Sequence, residues 1–311
     1  MTDQLIPEPT EAEAGSGHAP STEQILGAVR KAGWLLEQDT ARMLTDRSFH
    51  TTTGRAFPDP DEPSNSRELD VVGYRQIFRD EELRMSIAVQ VLAECKQSSM
   101  PYVLIGAPGT AVPRDGRYEE QQFRFQTVRV GADPRPGGAL QIRTEPARRF
   151  LGLTDLPENP WAERFIGTQM TRMNRTGTQW RADNEGIFTS LVVPLAKALT
   201  YFRGQVAFRQ QGRHDRQRGW ASIVFYYPIV VTSATVYAVD VSSQEPAVSA
   251  VPWAALTREL RSSSVDGQFT IDVVQARHLA DYLDKRVGAF ADAVAMTAAA
   301  NPEAFITDDA T

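Results

Sequence analysis

Three charged residues, Asp70, Glu94 and Lys96, lie in stretches that otherwise have the apolar character of buried β-strands. Burying a carboxylate or an ammonium group in a sheet costs several kcal/mol unless the group is paired or binds a metal. Charged residues at such positions therefore indicate an ion pair or a metal site, and these three are the candidate functional residues.

The segment from Leu83 to Lys96 is predicted to be one long strand, because every odd position from 85 to 95 is apolar. Side chains alternate along a strand, so Glu94 and Lys96 project from the opposite face, about 7 Å apart along the strand. Residues 68–74 are predicted to form the adjacent strand, and Asp70 joins the pair if it points the same way. Two carboxylates beside an amine suit a hard divalent cation such as Mg²⁺ or Mn²⁺.

Two consecutive helices are predicted upstream, the first starting at the N-cap signal Ser21–Gln24 and the second running from Trp34 to about Asp46. Glu37 lies at the edge of the apolar stripe of the second helix, so it could point towards the sheet. The alternative is that Glu37 faces solvent and pairs with Arg42 or Arg30.

This order of elements resembles the PD-(D/E)XK, or restriction-endonuclease-like, superfamily, whose core is a helix, a three-stranded β-meander that carries the site, a helix and a further strand. Glu37 resembles the acid of the first helix, Asp70 in RELDVV the acid of the second strand, and Glu94-Cys95-Lys96 the Glu-x-Lys of the third. The sequence ECKQS is especially similar to the Mrr-type and Holliday-resolvase-like branches. The likeness covers about residues 22–106; beyond them, Phe269–Val274 resembles a final core strand.

The resemblance implies a metal-dependent endonuclease that hydrolyses phosphodiester bonds, with DNA as the expected substrate and bacterial restriction, defence or DNA processing as the setting. Asp70, Glu94 and Glu37 would be ligands of Mg²⁺ or Mn²⁺, and the bound ion would polarise the phosphate and lower the pKa of a bound water. Lys96 would stay charged, orient that water and stabilise the oxyanion. Homodimers are common in the superfamily, so a homodimer is a further expectation.

Two other interpretations remain open. The chain could be a nucleic-acid or protein-binding module that keeps the nuclease fold without catalysis, or the three charged residues could form a structural ion-pair cluster. No proline precedes Asp70, and the segment between Tyr102 and Trp161 has no counterpart in the superfamily pattern, which leaves the choice of substrate open.

The expected fold class is α/β, with a restriction-endonuclease-like mixed sheet flanked by helices on both faces and a loop-rich insertion. Residues 1–21 and 301–311 are predicted to be disordered tails around a single domain at 22–300. That domain comprises motifs at 22–106, the insertion at about 107–160 and the remaining core at 161–300. Further elements are predicted as a strand at Phe123–Val130, helices at Trp161–Met173, Glu185–Arg203 and Ala276 to about Ala300, and two strands within Ala221–Val239.

The net charge of −6 argues only weakly against nucleic-acid binding, because the charge is unevenly distributed. Residues 114–218 contain 18 Lys and Arg against 11 Asp and Glu. Within them, Arg213, Arg216 and Arg218 form a basic loop that is predicted to contact phosphate, with an ordinary solvated loop as the alternative. High arginine usage across the whole chain, which has only four lysines, is the alternative for the wider basic excess.

The single cysteine, Cys95, excludes an intramolecular disulfide and fits a reducing cytoplasm. It faces away from Glu94 and Lys96, so we interpret it as a core residue rather than a nucleophile. The first 24 residues are acidic and polar, unlike a secretory signal. Residues 221–239 carry no charge, but Pro228 and the abundance of Val, Ile and Tyr favour strands over a membrane span. No membrane association is expected.

Overall fold

The computed structural model describes residues 19–113, 116–136, 140–211 and 220–306. The protein is a mixed α/β structure with a large mixed sheet flanked by helices, as the sequence predicted at that level. The strands are β1 His50–Pro58, β2 Ser66–Asp80, β3 Met85–Lys96, β4 Tyr102–Gly109, β5 Gln121–Gln122, β6 Thr127–Pro134, β7 Leu140–Pro146, β8 Arg164–Thr176, β9 Gln179–Asp183, β10 Ala221–Thr232, β11 Val236–Asp240, β12 Ala247–Val251, β13 Trp253–Arg261 and β14 Asp266–Gln275.

The α-helices are α1 Thr22–Ala32, α2 Trp34–Thr45, α3 Ala147–Phe150, α4 Val193–Gln211, α5 Leu279–Tyr282 and α6 Ala289–Ala300. Two π-helical segments precede α4 and α6, at Phe188–Val192 and Leu283–Gly288. Short 3₁₀ segments occupy Leu153–Asp155, Ala276–His278 and Pro302–Phe305. The helix predicted from Ala276 to about Ala300 is therefore a succession of helical segments.

The main sheet has the strand order β1-β2-β3-β10-β14-β13-β8-β4-β11-β12, with β5 paired to β10 and β9 paired to β8. Strands β1, β2 and β3 form an antiparallel meander, and β10 runs parallel to β3 along its whole length. Strands β6 and β7 form a separate two-stranded sheet. The strand predicted at Phe269–Val274 exists as part of β14, but β10 separates it from β3.

Hydrophobic cores cover both faces of the meander. The odd positions of β3, from Met85 to Cys95, pack into one core with residues of α2 and α6, whereas Leu92 packs into the other core with residues of α4. The alternation predicted for this strand is therefore confirmed, and it leaves Glu94 and Lys96 on the α4 side.

The two N-terminal helices are also as predicted. Ser21 caps α1 with a capping box, its side chain accepting from the backbone N–H of Gln24 while the Gln24 side chain accepts from the N–H of Ser21. Gly33 separates the helices in a left-handed conformation, with φ of 93°. A Cβ at Gly33 would lie 3.5 Å from Cβ of Gln97, so the start of α2 lies beside the residue that follows β3.

The helix predicted at Trp161–Met173 is wrong, because this segment enters strand β8. Its apolar residues, Phe165, Ile166, Met170 and Met173, have a spacing that suits a helix, but β8 pairs with β4 along most of its length. Gly167 lies against Leu104 of β4, where an added Cβ would be only 3.0 Å from the Leu104 side chain. Long-range strand pairing therefore outweighs the local pattern.

The insertion and the tail also differ from expectation. The segment predicted to be mostly loop contains the β6–β7 hairpin, and the strand predicted at Phe123–Val130 begins only at Thr127. Residues 302–305 form a helical turn in which Phe305 is 1% exposed, so the disordered tail expected from 301 is wrong for this part. Residues 1–18 and 307–311 lie outside the described ranges.

The uncharged segment at 221–239 forms two strands, β10 and β11, as predicted. Over the four described ranges, no helix has the length and apolar character needed to cross a membrane.

Candidate active site

The candidate site lies where β2 and β3 meet at the end of their shared ladder. The ladder is paired as far as Val71 and Ala93, and Asp70 and Glu94 are the next residues along β2 and β3 beyond this last pair. At this point the backbone N–H of Cys95 donates to Oδ2 of Asp70 over 2.6 Å. The Asp70 carboxylate is thus fixed against the backbone between Glu94 and Lys96.

The other edge of β3 is held by β10. Val230 lies opposite Glu94 and Thr232 opposite Lys96 in this parallel pair. The N–H of Ser233 then donates to the carbonyl oxygen of Lys96 over 3.2 Å. Pairing with β10 on one side and the Asp70 contact to Cys95 on the other therefore fix the backbone that carries Glu94 and Lys96, which is the rigidity that a preorganised site requires.

Glu94 and Lys96 are in direct contact on one face of β3. Nζ of Lys96 donates to Oε2 of Glu94 over 3.1 Å. Glu94 is only 5% exposed, whereas the Lys96 side chain is 32% exposed. The pair therefore joins a buried carboxylate to an ammonium group that solvent or a bound substrate can reach.

The electrostatics show that the four predicted residues share one neighbourhood. Burial raises the pKa of Glu94 to about 7, and the negative charge of Asp70 adds to the shift, while Lys96 opposes it. The pKa of Glu37 is also raised, by burial first and then by Asp70. Burial alone would lower the pKa of Lys96, but the nearby charges of Glu94 and Asp70 outweigh it, so the pKa is raised and the amine stays protonated.

Glu37 is half-buried on α2, and one of the two surface partners considered for it pairs with another residue. Arg42, one of the two candidate partners, instead pairs with Asp39, with Nη2 2.8 Å from Oδ1. The start of α2 lies beside the end of β3, which brings Glu37 within the electrostatic reach of Asp70 and Lys96. Glu37 is therefore a candidate third carboxylate for the site, carried by a helix and not by the sheet.

Cys95 lies on the opposite face of β3, as predicted. It is buried in the core, and its Sγ lies 3.6 Å from Oγ1 of Thr40. Burial raises the pKa of this thiol to about 12, so it remains a neutral thiol at physiological pH. The expectation that Cys95 is a core residue is confirmed.

The carboxylates could hold a divalent cation, with part of its shell supplied from elsewhere. Within the described ranges, no three His, Cys, Asp or Glu side chains are grouped so that they could hold a metal ion. Mg²⁺ commonly takes only one or two protein carboxylates and completes its shell with water and phosphate oxygens. Asp70 and Glu94 each use one oxygen in the contacts above, so Oδ1 of Asp70 and Oε1 of Glu94 are the candidate ligands.

Sequence reasoning missed two residues near the site, Tyr102 and Arg172. Tyr102 is buried at the start of β4, and its pKa is raised by burial, with Arg172 and Lys96 acting in the opposite direction. Arg172 lies opposite Tyr102 in the β4–β8 pair. Tyr102 follows Lys96 by six positions and could have been considered, but Arg172 was hidden by the incorrect helix prediction for its segment.

The predicted nucleic-acid contacts Arg213, Arg216 and Arg218 lie outside the described residues. No protein-family model, no curated protein and no solved structure matches this chain. The interpretation of the site is therefore drawn from its own geometry: two carboxylates just beyond the last β2–β3 pair, a candidate third on a neighbouring helix, and a charged amine between the buried carboxylate and solvent.

Proposed function

We propose that the protein is a metal-dependent nuclease that hydrolyses phosphodiester bonds, with DNA as its substrate. The observation that carries this proposal is the pair of carboxylates, Asp70 and Glu94, where β2 and β3 meet. Their negative charge is only partly balanced by the partly exposed Lys96, which contacts Glu94. The order of the elements around it also supports a restriction-endonuclease-like core: helix α2, the β1–β2–β3 meander, helix α4, and then strand β10 beside β3.

The donor set fits Mg²⁺ or Mn²⁺, because hard cations prefer carboxylate oxygens and water. Asp70 and Glu94 would hold the ion, with Glu37 able to contribute from α2. When bound, such an ion polarises a phosphate oxygen and lowers the pKa of a bound water. Burial is the main cause of the raised pKa values of Glu94 and Glu37, and the charge of the ion would offset the repulsion from Asp70 that adds to it.

Lys96 has the position and charge to act on the substrate. Its contact with Glu94 holds Nζ beside the carboxylates, and its partial exposure leaves it able to reach a phosphate. In the proposed reaction, Lys96 orients the attacking water and stabilises the negative charge that develops on the phosphate oxygens. The N–H of Cys95 donates to the Asp70 carboxylate and fixes its position, so the carboxylate needs little rearrangement before catalysis.

The test is cleavage of DNA by the purified full chain with Mg²⁺ and with a chelator. Asp70→Ala and Lys96→Ala should each reduce the cleavage rate by about 100-fold or more, the usual cost of losing a group that stabilises charge in the transition state. Lys285→Ala is the matched control, because Lys285 is a largely exposed lysine on a different element. Equal cleavage by the wild type and by the folded Asp70 and Lys96 variants would contradict the proposal.

A non-catalytic nucleic-acid-binding module is the second candidate. It is favoured by the absence of a three-residue metal group within the described ranges and by the direct Lys96–Glu94 ion pair, which could be purely structural. This candidate predicts a metal-independent gel shift, no cleavage of any DNA or RNA in a substrate panel, and a melting temperature that does not change with Mg²⁺.

A further inference from the structure

The β8–β9 hairpin projects from the sheet at the same end as the candidate site. The connection between β10 and β11 contacts both places: the N–H of Ser233 donates to the carbonyl oxygen of Lys96, and the carbonyl oxygen of Thr235 accepts from the N–H of Tyr102. Strand β4 starts at Tyr102, opposite Arg172 of β8. Beyond Arg172, the N–H of Met173 still donates to the carbonyl oxygen of Pro101, and the remainder of β8 is paired with β9.

The projecting part of the hairpin is basic and has an exposed aromatic side chain. Residues 172–182 contain three arginines and no Asp or Glu. Trp180 is 52% exposed and lies opposite Arg175, whose guanidinium carbon is 5.9 Å from the centre of the indole ring. All residues from Gln179 to Ala182 are exposed.

One arginine is paired with an acid at the base of the hairpin, and two others have exposed side chains, of which that of Arg175 donates from Nε to the carbonyl oxygen of Gly177. Asp183 accepts from Nη2 of Arg172 over 3.0 Å and from Nδ2 of Asn174 over 2.6 Å. These contacts and the N–H of Glu185 lower the pKa of Asp183, so it is ionised and compensates Arg172. Arg175 and Arg181 lie nearer the tip and are exposed.

We infer that the β8–β9 hairpin binds unpaired nucleotides of a DNA strand next to the candidate site, an inference that rests on the proposed nuclease function. An exposed indole can stack on a base only if that base is not already stacked within a duplex, and such stacking tolerates any sequence. Arg175 and Arg181 supply the positive charge that the phosphates of the same strand require. The exposed indole together with the positive charge thus favours a nucleic-acid strand over partners that offer negative charge alone.

The β6–β7 hairpin provides an internal control of similar size. It also carries several arginines, but two of them make contacts within the hairpin: Arg143 pairs with Asp133, and Arg135 donates to the neutral amide oxygen Oε1 of Gln141. It has no aromatic residue within its two strands. Replacing two arginines in either hairpin therefore changes the net charge by the same amount and leaves the Trp180 side chain in place.

The experiment measures binding of the full chain to a fluorescently labelled single strand and to its duplex, in a chelator so that no cleavage occurs. Trp180→Ala should weaken binding to the single strand by about 10-fold or more, with a smaller effect on the duplex, and Trp180→Phe should retain part of the affinity. Arg175→Ala with Arg181→Ala should weaken binding and reduce its salt dependence, whereas Arg135→Ala with Arg143→Ala should change it by less than about twofold.

The outcomes separate this inference from the proposed function. Wild-type affinity in the folded Trp180→Ala variant overturns the inference, even if the protein cleaves DNA. Binding to vesicles of phosphatidylserine without binding to either DNA also overturns it. If Trp180→Ala loses single-strand binding while Asp70→Ala keeps it and the wild type cuts no DNA with Mg²⁺, the hairpin assignment stands and the nuclease proposal fails.

Discussion

Asp59 and Glu94 are both buried carboxylates with a lysine partner, yet their surroundings move their pKa values in opposite directions. Asp59 is 4% exposed, and burial alone would raise its pKa, but both oxygens accept from Lys197, at 2.7 and 2.9 Å, and Arg67 also donates to it. These contacts lower the pKa of Asp59 to about 2. Glu94 has one lysine at 3.1 Å and two nearby carboxylates, and its pKa rises to about 7.

The difference separates a structural ion cluster from a candidate functional one. Asp59 connects the turn after β1 to β2 through Arg67 and to α4 through Lys197, so it ties three parts of the fold together. The ion pair of Glu94 with Lys96 lies within one strand, and the ionised form of Glu94 is poorly compensated. A buried acid kept in an unfavourable environment is a signature of functional sites, where the missing compensation is supplied by a ligand.

The largest expected effect is on the rate of DNA cleavage, which should depend on Glu94 and not on Asp59. Glu94→Gln should reduce the rate of metal-dependent DNA cleavage by about 1,000-fold, because the neutral amide is a weak ligand for Mg²⁺. Asp59→Asn should leave the cleavage rate per folded molecule within about twofold, because Asp59 lies in a separate cluster. Single-turnover kinetics measure the cleavage rate of both variants. Loss of activity in the folded Asp59→Asn variant would contradict the distinction between a structural Asp59 and a functional Glu94.

The next effect concerns the stability contributed by the two lysines. Lys197→Met should lower the free energy of unfolding by about 3–5 kcal/mol, because it leaves Asp59 buried with fewer partners. Lys96→Met should lower it by less than about 1 kcal/mol, since Lys96 is partly exposed and Glu94 can take up a proton instead. Urea unfolding at neutral pH without metal compares them, and equal losses would show that both ion pairs are structural.

The pH dependence of stability should have opposite signs at the two acids. The pKa of Asp59 lies below its ordinary 3.8, so its stabilising contribution is present above about pH 4 and is lost as the pH falls towards 2. The pKa of Glu94 lies above its ordinary 4.5, so the folded state holds this proton more tightly. Its contribution is therefore present below about pH 4.5 and is lost as the pH rises through 7.

Substitution should reveal these signs directly. Without metal at about pH 8, Glu94→Gln should be more stable than the wild type by about 1–3 kcal/mol, and the gain should disappear near pH 4.5. Asp59→Asn should be less stable at the same pH. Denaturant unfolding across the pH range provides the measurement, and destabilisation by Glu94→Gln at pH 8 would mean that the Glu94 carboxylate is stabilising.

The smallest effect is thermal stabilisation by the metal. A cation that binds only the folded state raises the melting temperature by mass action, and about 1 kcal/mol of binding corresponds to roughly 2–4 °C in a protein of this size. The increase with Mg²⁺ should fall below pH 7, because protonated Glu94 is not a ligand. It should be absent in Glu94→Gln and retained in Asp59→Asn.

The local parts of this site could be predicted from the sequence, and its distant parts could not. The apolar odd positions of β3 set the face of Glu94 and Lys96, and the N-cap signal at Ser21 marked the start of the helical pair that includes α2. In contrast, the placement of β10 beside β3 joins segments more than a hundred residues apart, and no local pattern encodes it. Arg172 was missed because the spacing of apolar residues in β8 imitates a helix, and the hairpin that carries Trp180 was not predicted.

Equilibrium binding of Mn²⁺ at about pH 8, followed by electron paramagnetic resonance, tests the central claim most directly, because it detects the metal site without requiring the correct DNA substrate. We predict that the wild type and Asp59→Asn bind Mn²⁺ with the same affinity and that Asp70→Asn and Glu94→Gln each weaken binding by about 10-fold or more. Equal Mn²⁺ affinity in all four proteins, or no binding by the wild type, would contradict the assignment of Asp70 and Glu94 as metal ligands.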